Sequence, residues 1–256
     1  MRRAELFLFA AGVPLVFAIV AVADRKGLFR GDAFPTASRK RAALVLLAFV
    51  LCTIVLLPAL GGGEVEPRSL RFVQVFSGQA LLAAFLLAWW LLAGRPRPAD
   101  FLALRSPRPL VDAGAGVCLG LIGWSLTLAV SIVVAYALAL FGIAGPRAVP
   151  PLVRWIAALP PAQRLLIVLS AMTVEEFQFR AFLQRRVGAV PASILFLLSH
   201  GGYGEPYFFL GLVAITAVLA AAFQKTGSTI APMLAHGTFD AVQLFVFLPV
   251  VLKLLP

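Results

Sequence analysis

The second half of the chain places ionisable side chains inside sequence that is otherwise apolar. Three groups stand out by residue type and spacing: Glu175, Glu176 and Arg180; Phe196 and His200; His236 and Asp240. They include both histidines of the chain. Carboxylates and imidazoles transfer protons in enzymes and also bind metal ions. These groups therefore predict a site for acid–base catalysis or for a metal ion.

The segment EEFQFR gives its two adjacent glutamates different surroundings. On a helix, Glu176 and Arg180 lie on one face within reach of an ion pair, whereas Glu175 points about 100° away from Glu176. We therefore expect Glu176 to be bound by Arg180 and Glu175 to be available as a general base. The alternative is a structural salt-bridge cluster that only fixes helix packing.

Each histidine has a neighbour four residues away that shares its helix face. Phe196 precedes His200, which two glycines follow, and His236 precedes Asp240. Asp240 is expected to accept a hydrogen bond from His236 and so to fix the tautomer of the imidazole. In the structural alternative, His200 is an ordinary core histidine at a helix end, and His236 and Asp240 serve packing.

The helices that carry these residues must bring them to a common depth in a bilayer. The depth of each residue is counted from the end of its helix: Glu175 from Arg185 and Arg186, His200 from Gly188, and His236 from Gly227. The counts are about nine to twelve residues, which is roughly 14 to 18 Å at about 1.5 Å per residue. A bilayer core is about 30 Å thick. The three side chains are therefore expected to meet near the midplane and to form one site.

The composition indicates a membrane protein, since 61% of the 256 residues are hydrophobic and only 13% are charged. Eight apolar segments predict transmembrane helices: residues 6–23, 42–60, 72–93, 113–145, 165–187, 188–200, 207–224 and 228–252. The predicted fold is thus an all-α integral membrane protein of about eight transmembrane helices, with a polar catalytic cavity among the C-terminal four.

The chain divides by where its ionisable residues lie. The first three apolar segments contain none, so residues 1–109 are predicted to be a three-helix membrane scaffold and residues 110–256 to be the functional core. Residues 146–164 form either a short interfacial helix or a plain loop. Cys52 and Cys118 stand in different apolar segments without a CxxC partner, which argues against a disulfide and against a thiolate metal site.

The formal net charge of +11 is explained by basic residues in the loops, so nucleic acid is not an expected partner. The loops on the face that includes residues 24–41 are the richer in arginine and lysine. The positive-inside rule then predicts a multi-pass protein of the cell (plasma or inner) membrane with both termini outside.

The ordered set EExxxR, FxxxH and HxxxD resembles the motifs of the CPBP intramembrane proteases, also called the Abi family and named for CAAX and bacteriocin processing. The family includes the Ras-converting CAAX endopeptidase and the myxosortases. The stretch GSTIAPMLAHGTFD is similar to the family's last motif, and the resemblance runs from about residue 111 to the C-terminus. It implies the following roles: water activation by Glu175 and His200, oxyanion stabilisation by His236 and Asp240, and support of the site by Glu176, Arg180 and Phe196.

The last motif ends in Asn in the family's CAAX endopeptidase and in Asp240 here. Asp240 must therefore be protonated, or must act by holding His236 as the donor to the oxyanion. The expected mechanism needs no metal. The alternative is a zinc site of His200, His236 and Glu175 with one position open for water.

The expected partners are the lipid bilayer and a hydrophobic or membrane-anchored peptide that is cut near its C-terminus or leader. Two alternatives come from other functional classes, because buried carboxylates and histidines are also typical of them. One is a non-catalytic scaffold or immunity protein that binds a hydrophobic peptide, and the other is a proton-coupled transporter.

Overall fold

The computed structural model describes residues 3–60, 71–143, 149, 151–201 and 206–254, and the regular secondary structure of these residues is helical. In chain order the helices are α1 (Arg3–Arg25), α2 (Ala37–Leu60), α3 (Phe72–Leu92), α4 (Pro98–Phe101), α5 (Pro109–Leu140), α6 (Pro151–Ala158), α7 (Pro161–Val187), α8 (Ala189–Ser199), α9 (Pro206–Thr226) and α10 (Ile230–Leu254). The prediction of an all-α protein is confirmed for this part of the chain.

Five of the described helices are long and apolar enough to cross a membrane: α1, α2, α3, α5 and α10. A sixth crossing is obtained if α6 and α7, which meet at a bend of 118°, are counted as one broken span. Helix α8 has 11 residues and rises only about 16 Å, roughly half of a bilayer core. The predicted count of eight spans is therefore not confirmed. The structure does contain several helices that are long and apolar enough to span a membrane.

The segment predicted as an interfacial helix or a loop contains helix α6, which buries Val153 and Ile156. Residues 144–148 and 150, which precede this helix, lie outside the described residues. Further along the chain, glycines with positive φ separate the helices that carry the site. Gly188 (φ 88°) stands between α7 and α8, and Gly227 (φ 66°) follows α9. Glycine adopts this left-handed backbone without the strain that a Cβ would cause.

An aromatic cluster joins the N-terminal helices to α7. The Trp89 ring of α3 is fully buried and lies 4.7 Å from the ring of Phe182 in α7, and Phe85 packs edge-on against the same phenylalanine at 5.1 Å. Close by, Arg186 Nε donates a hydrogen bond of 3.0 Å to Asp32, which lies in the loop before α2. The helix that carries the glutamates is thus held by residues from the first hundred positions of the chain.

Helices α5 and α10 approach each other closely through glycines on α5. A Cβ built on Gly116 would lie 2.5 Å from the carbonyl oxygen of Ala231, and one on Gly120 would lie 2.5 Å from that of Ala235. Such distances leave no room for a side chain, as in other membrane helix pairs that pack through small residues. This contact sets the position of the part of α10 that carries His236.

Candidate active site

Helix α7 departs from regular α geometry where it carries the glutamates. Ala171–Glu175 and Phe177–Gln184 are both π-helical, and Glu176 lies at the junction between them. The wider π turn has i→i+5 hydrogen bonds and occurs frequently at functional sites. A π turn contains more residues than an α turn, so each side chain points in a different direction from that in a regular α-helix. The contacts of Glu175 and Glu176 therefore depend on these π turns as well as on their positions in the sequence.

Glu176 is fully buried and binds two cationic or protonatable partners. Its Oε2 accepts a hydrogen bond of 3.1 Å from Arg180 Nε, and both side chains are 0% exposed. Its Oε1 lies 2.8 Å from Nδ1 of His236. The expected ion pair with Arg180 is therefore present, while the second contact was not predicted, because it joins helices that are 60 residues apart in sequence.

His236 lies between two carboxyl groups. Because the buried carboxylate of Glu176 accepts hydrogen bonds, His236 Nδ1 carries the proton of that contact. Its Nε2 lies 3.5 Å from Oδ2 of Asp240. Asp240 thus lies beside His236 as expected, but at a distance longer than an N–H···O hydrogen bond, and Glu176 rather than Asp240 makes the short contact that orients the imidazole.

His200 is oriented by the backbone of its own helix. Its Nδ1–H donates a hydrogen bond of 2.8 Å to the carbonyl oxygen of Phe196, and the hydroxyl oxygen of Ser199 lies 3.2 Å away. A carbonyl oxygen can only accept, so the proton of a neutral His200 is on Nδ1. Its Nε2 then faces Glu175 as an acceptor.

The distance from Nε2 of His200 to Oε2 of Glu175 is 3.9 Å. Oε2 of Glu175 is a buried oxygen without a hydrogen-bond partner. Two acceptors do not bind each other, but a water can donate one proton to each, and 3.9 Å is a separation that one water can bridge. The two side chains are therefore spaced so that one water molecule fits between them.

Phe196 packs among the polar residues of the site. Its ring centroid lies 4.6 Å from that of His200 and 6.1 Å from that of His236, and the guanidinium of Arg180 lies over its face at 5.3 Å. The phenylalanine is 1% exposed. The structure thus brings all of the residues singled out by the sequence into one cluster, with Phe196 as its apolar wall.

One polar contact to the cluster comes from a helix that the sequence analysis assigned to the scaffold. Gln79 of α3 donates a hydrogen bond of 3.3 Å from Nε2 to Oε1 of Glu175. The contact joins residues 96 positions apart, so no local pattern could indicate it. The available signal was that Gln79 is one of few amides in an apolar segment.

The candidate residues fit the zinc alternative poorly. Both ring nitrogens of His236 face carboxyl groups, Glu176 on one side and Asp240 on the other. Among the described residues, no three His, Cys, Asp or Glu side chains are arranged as a metal-binding group. Cys52 and Cys118 are both free thiols.

Residues 157–242 match the sequence model of a family described as type II CAAX prenyl endopeptidase, Rce1-like. The predicted resemblance to the CPBP family is confirmed over this segment, which contains every candidate residue of the site. The match begins later than the residue near 111 at which the resemblance was expected to start. The matched segment and the apolar helices thus make this chain similar to a family of membrane-embedded proteases.

A stretch of 79 residues is 33% identical to the uncharacterized protein YpbD of Bacillus subtilis (strain 168). It covers 30% of this chain and 42% of that relative, so the chain spans less than half of the length of the relative that it matches. No solved structure matches the chain significantly.

Proposed function

We propose that this protein is an intramembrane endopeptidase of the glutamic type, which hydrolyses a peptide bond by means of a water activated between Glu175 and His200. The observation that carries the proposal is the buried, unpartnered Oε2 of Glu175, which faces Nε2 of His200 at 3.9 Å. A general base needs this combination of a free oxygen and a nearby group that orients the water.

In this mechanism the water donates one hydrogen bond to Glu175 and one to His200, which leaves its lone pairs free for attack. Glu175 takes a proton from the water as the oxygen bonds to the carbonyl carbon of the substrate. When the tetrahedral intermediate collapses, the carbon–nitrogen bond breaks, and Glu175 returns the proton to the leaving nitrogen. One glutamate therefore acts first as a base and then as an acid.

The negative charge that develops on the carbonyl oxygen is stabilised by Nε2–H of His236. In the proposed mechanism His236 carries a proton on both ring nitrogens, and Glu176 accepts the hydrogen bond of Nδ1–H at 2.8 Å. A preoriented donor in a site from which water is largely excluded is worth more than the same donor in bulk water. Glu176 and Arg180 support this donor, and Asp240 lies on its other side.

The substrate of the proposed protease is a hydrophobic or membrane-anchored peptide that is cut near its C-terminus or its leader. It would enter the core formed by residues 110–256, while residues 1–109 support that core. The protein would lie in the cell membrane with both termini outside, and it would need no cofactor.

The test compares membranes that contain the wild-type protein with membranes that contain Glu175→Ala. The termini of membrane proteins and secreted proteins are mapped by proteomics, and the candidate substrate is then incubated with purified protein in detergent. We expect uncut C-termini or leader peptides to accumulate only with Glu175→Ala, and cleavage of the same peptide by the purified wild type.

The matched control is Asp100→Asn, since Asp100 is an exposed carboxylate that pairs with Arg105 at 2.8 Å away from the site. This variant should process substrates as the wild type does. If a hydrophobic peptide binds the purified wild type with high affinity but is never cut, the non-catalytic binder is the correct function.

A further inference from the structure

Helix α3 contributes a polar side chain, Gln79, to the site. Gln79 is half-buried and donates its amide hydrogen to Oε1 of Glu175 at 3.3 Å. Helix α3 also packs against the π-helical turn Ala171–Glu175. The contact is therefore part of a helix–helix interface.

The amide distinguishes between the two oxygens of Glu175. Oε1 is bound by Gln79, whereas Oε2 is buried, has no hydrogen-bond partner and faces His200. Rotation of a glutamate carboxylate about its last bond is broad and nearly twofold, so the carboxylate does not keep one oxygen in place by itself. A donor on one oxygen fixes the plane of the group and presents the other oxygen to the water.

We propose that Gln79 is a positioning residue for Glu175, which sets the orientation of the general base. The inference rests on the proposed function, because positioning matters only if Glu175 takes a proton from water. It also gives the first hundred residues of the chain a part in the chemistry of the site.

A neutral amide is suited to positioning Glu175. A lysine or arginine at position 79 would form an ion pair with Glu175, as Arg180 does with Glu176 at 3.1 Å, and would make it a weaker base. An amide orients the carboxylate without adding a charge. The structure thus gives the supporting glutamate a cation and the catalytic glutamate a neutral donor.

The expected effect of removing the amide is a loss in kcat. A hydrogen bond to a charged group, together with the alignment that it provides, corresponds to about a tenfold to hundredfold change in rate. The KM should stay within about twofold, because Gln79 contacts Glu175 and not the substrate.

The experiment uses the full-length protein in detergent as wild type, Gln79→Leu and Gln74→Leu. Gln74 is the matched control, since it lies earlier on the same helix and its amide oxygen accepts from the backbone N–H of Arg71 at 2.7 Å, away from the glutamates. Three quantities are measured: kcat and KM on the peptide identified by proteomics, the carboxylate stretching band in the infrared spectrum, and the unfolding temperature.

The infrared band of Glu175 is identified as the one lost in Glu175→Gln. In Gln79→Leu we expect this band to shift and kcat to fall, with KM and the unfolding temperature close to those of the wild type. Gln74→Leu loses only a cap at the start of the helix and should leave the band, kcat and KM unchanged. Equal losses of kcat in both leucine variants, or an unshifted band in Gln79→Leu, would overturn the inference.

Failure of the proposed function gives a different result. In that case the purified wild type cuts no peptide, although the band of Glu175 still shifts in Gln79→Leu. If the wild type cuts the peptide and Gln79→Leu does so at the same kcat, the proposed function stands and the positioning role of Gln79 is refuted.

Discussion

The two adjacent glutamates should respond differently to the same substitution. Glu176→Gln removes the negative charge that is bound to Arg180 at 3.1 Å and to His236 at 2.8 Å in a fully buried position. Both terminal nitrogens of Arg180 already lack a hydrogen-bond partner, so the guanidinium depends on this carboxylate. Glu175→Gln leaves that pair intact and can keep the bond from Gln79.

The expected magnitudes follow from the burial of the two groups. Removing one partner of a buried ion pair costs about 3 to 5 kcal/mol. For a chain of this size each kcal/mol corresponds to about 2 to 4 °C in unfolding temperature, so Glu176→Gln should unfold about 6 to 20 °C below the wild type. Glu175→Gln should unfold within about 4 °C of the wild type, while the loss of a general base lowers its rate of cleavage about 100-fold or more.

The assay is thermal unfolding of the purified variants in one detergent, together with cleavage of the identified peptide. The matched control is the double variant Glu176→Gln, Arg180→Met, which removes both charges of the pair and should recover part of the lost stability. An equal fall in unfolding temperature in the two single glutamine variants would refute this division of roles. So would a double variant that is no more stable than Glu176→Gln.

Three further predictions concern other parts of the protein. Asp240→Asn should keep kcat within about tenfold of the wild type, with or without a chelator, whereas collapse of activity with recovery in excess zinc would contradict the metal-free mechanism. Gly120→Val should lower the free energy of unfolding by about 1 to 3 kcal/mol or more in detergent, because its Cβ would meet the carbonyl oxygen of Ala235 at 2.5 Å. Reporter proteins fused after Arg41 and after Arg108 should both report the cytoplasm, and a signal from the opposite side for either would disprove the orientation.

Contacts within one helix, and the convergence of Glu175, His200 and His236, could be predicted from the sequence, whereas the individual bonds between helices could not. The spacing of four residues predicted the pair of Glu176 and Arg180, and the structure has it. The bonds from Gln79 to Glu175 and from Arg186 to Asp32 join residues 96 and 154 positions apart. They depend on which helices pack together and at what angle, and a local pattern contains no information on either.

The number of membrane crossings shows the same limit. Hydropathy locates apolar segments, but it does not tell whether a segment crosses the whole bilayer. Helix α8 is apolar, yet its 11 residues are too few to cross a bilayer core. The bend of 118° between α6 and α7 lies at Leu159 and Pro160, directly before Pro161, the first residue of α7. Prolines mark such a break, whereas its angle is set by packing.

The charges of the site explain why an aspartate at position 240 is compatible with the proposed chemistry. Glu176 and Arg180 form a buried ion pair, and Glu176 also holds His236 Nδ1 at 2.8 Å, so the orientation of the oxyanion donor does not depend on a negative charge at Asp240. An ionised carboxylate at Asp240 would repel an oxyanion bound at Nε2 of His236, because its Oδ2 lies 3.5 Å from that nitrogen. A protonated Asp240 instead offers a hydroxyl donor of about the same size as an asparagine amide. Asp240→Asn thus preserves both the charge and the donor, whereas Asp240→Leu removes the donor and should lower kcat about 100-fold or more.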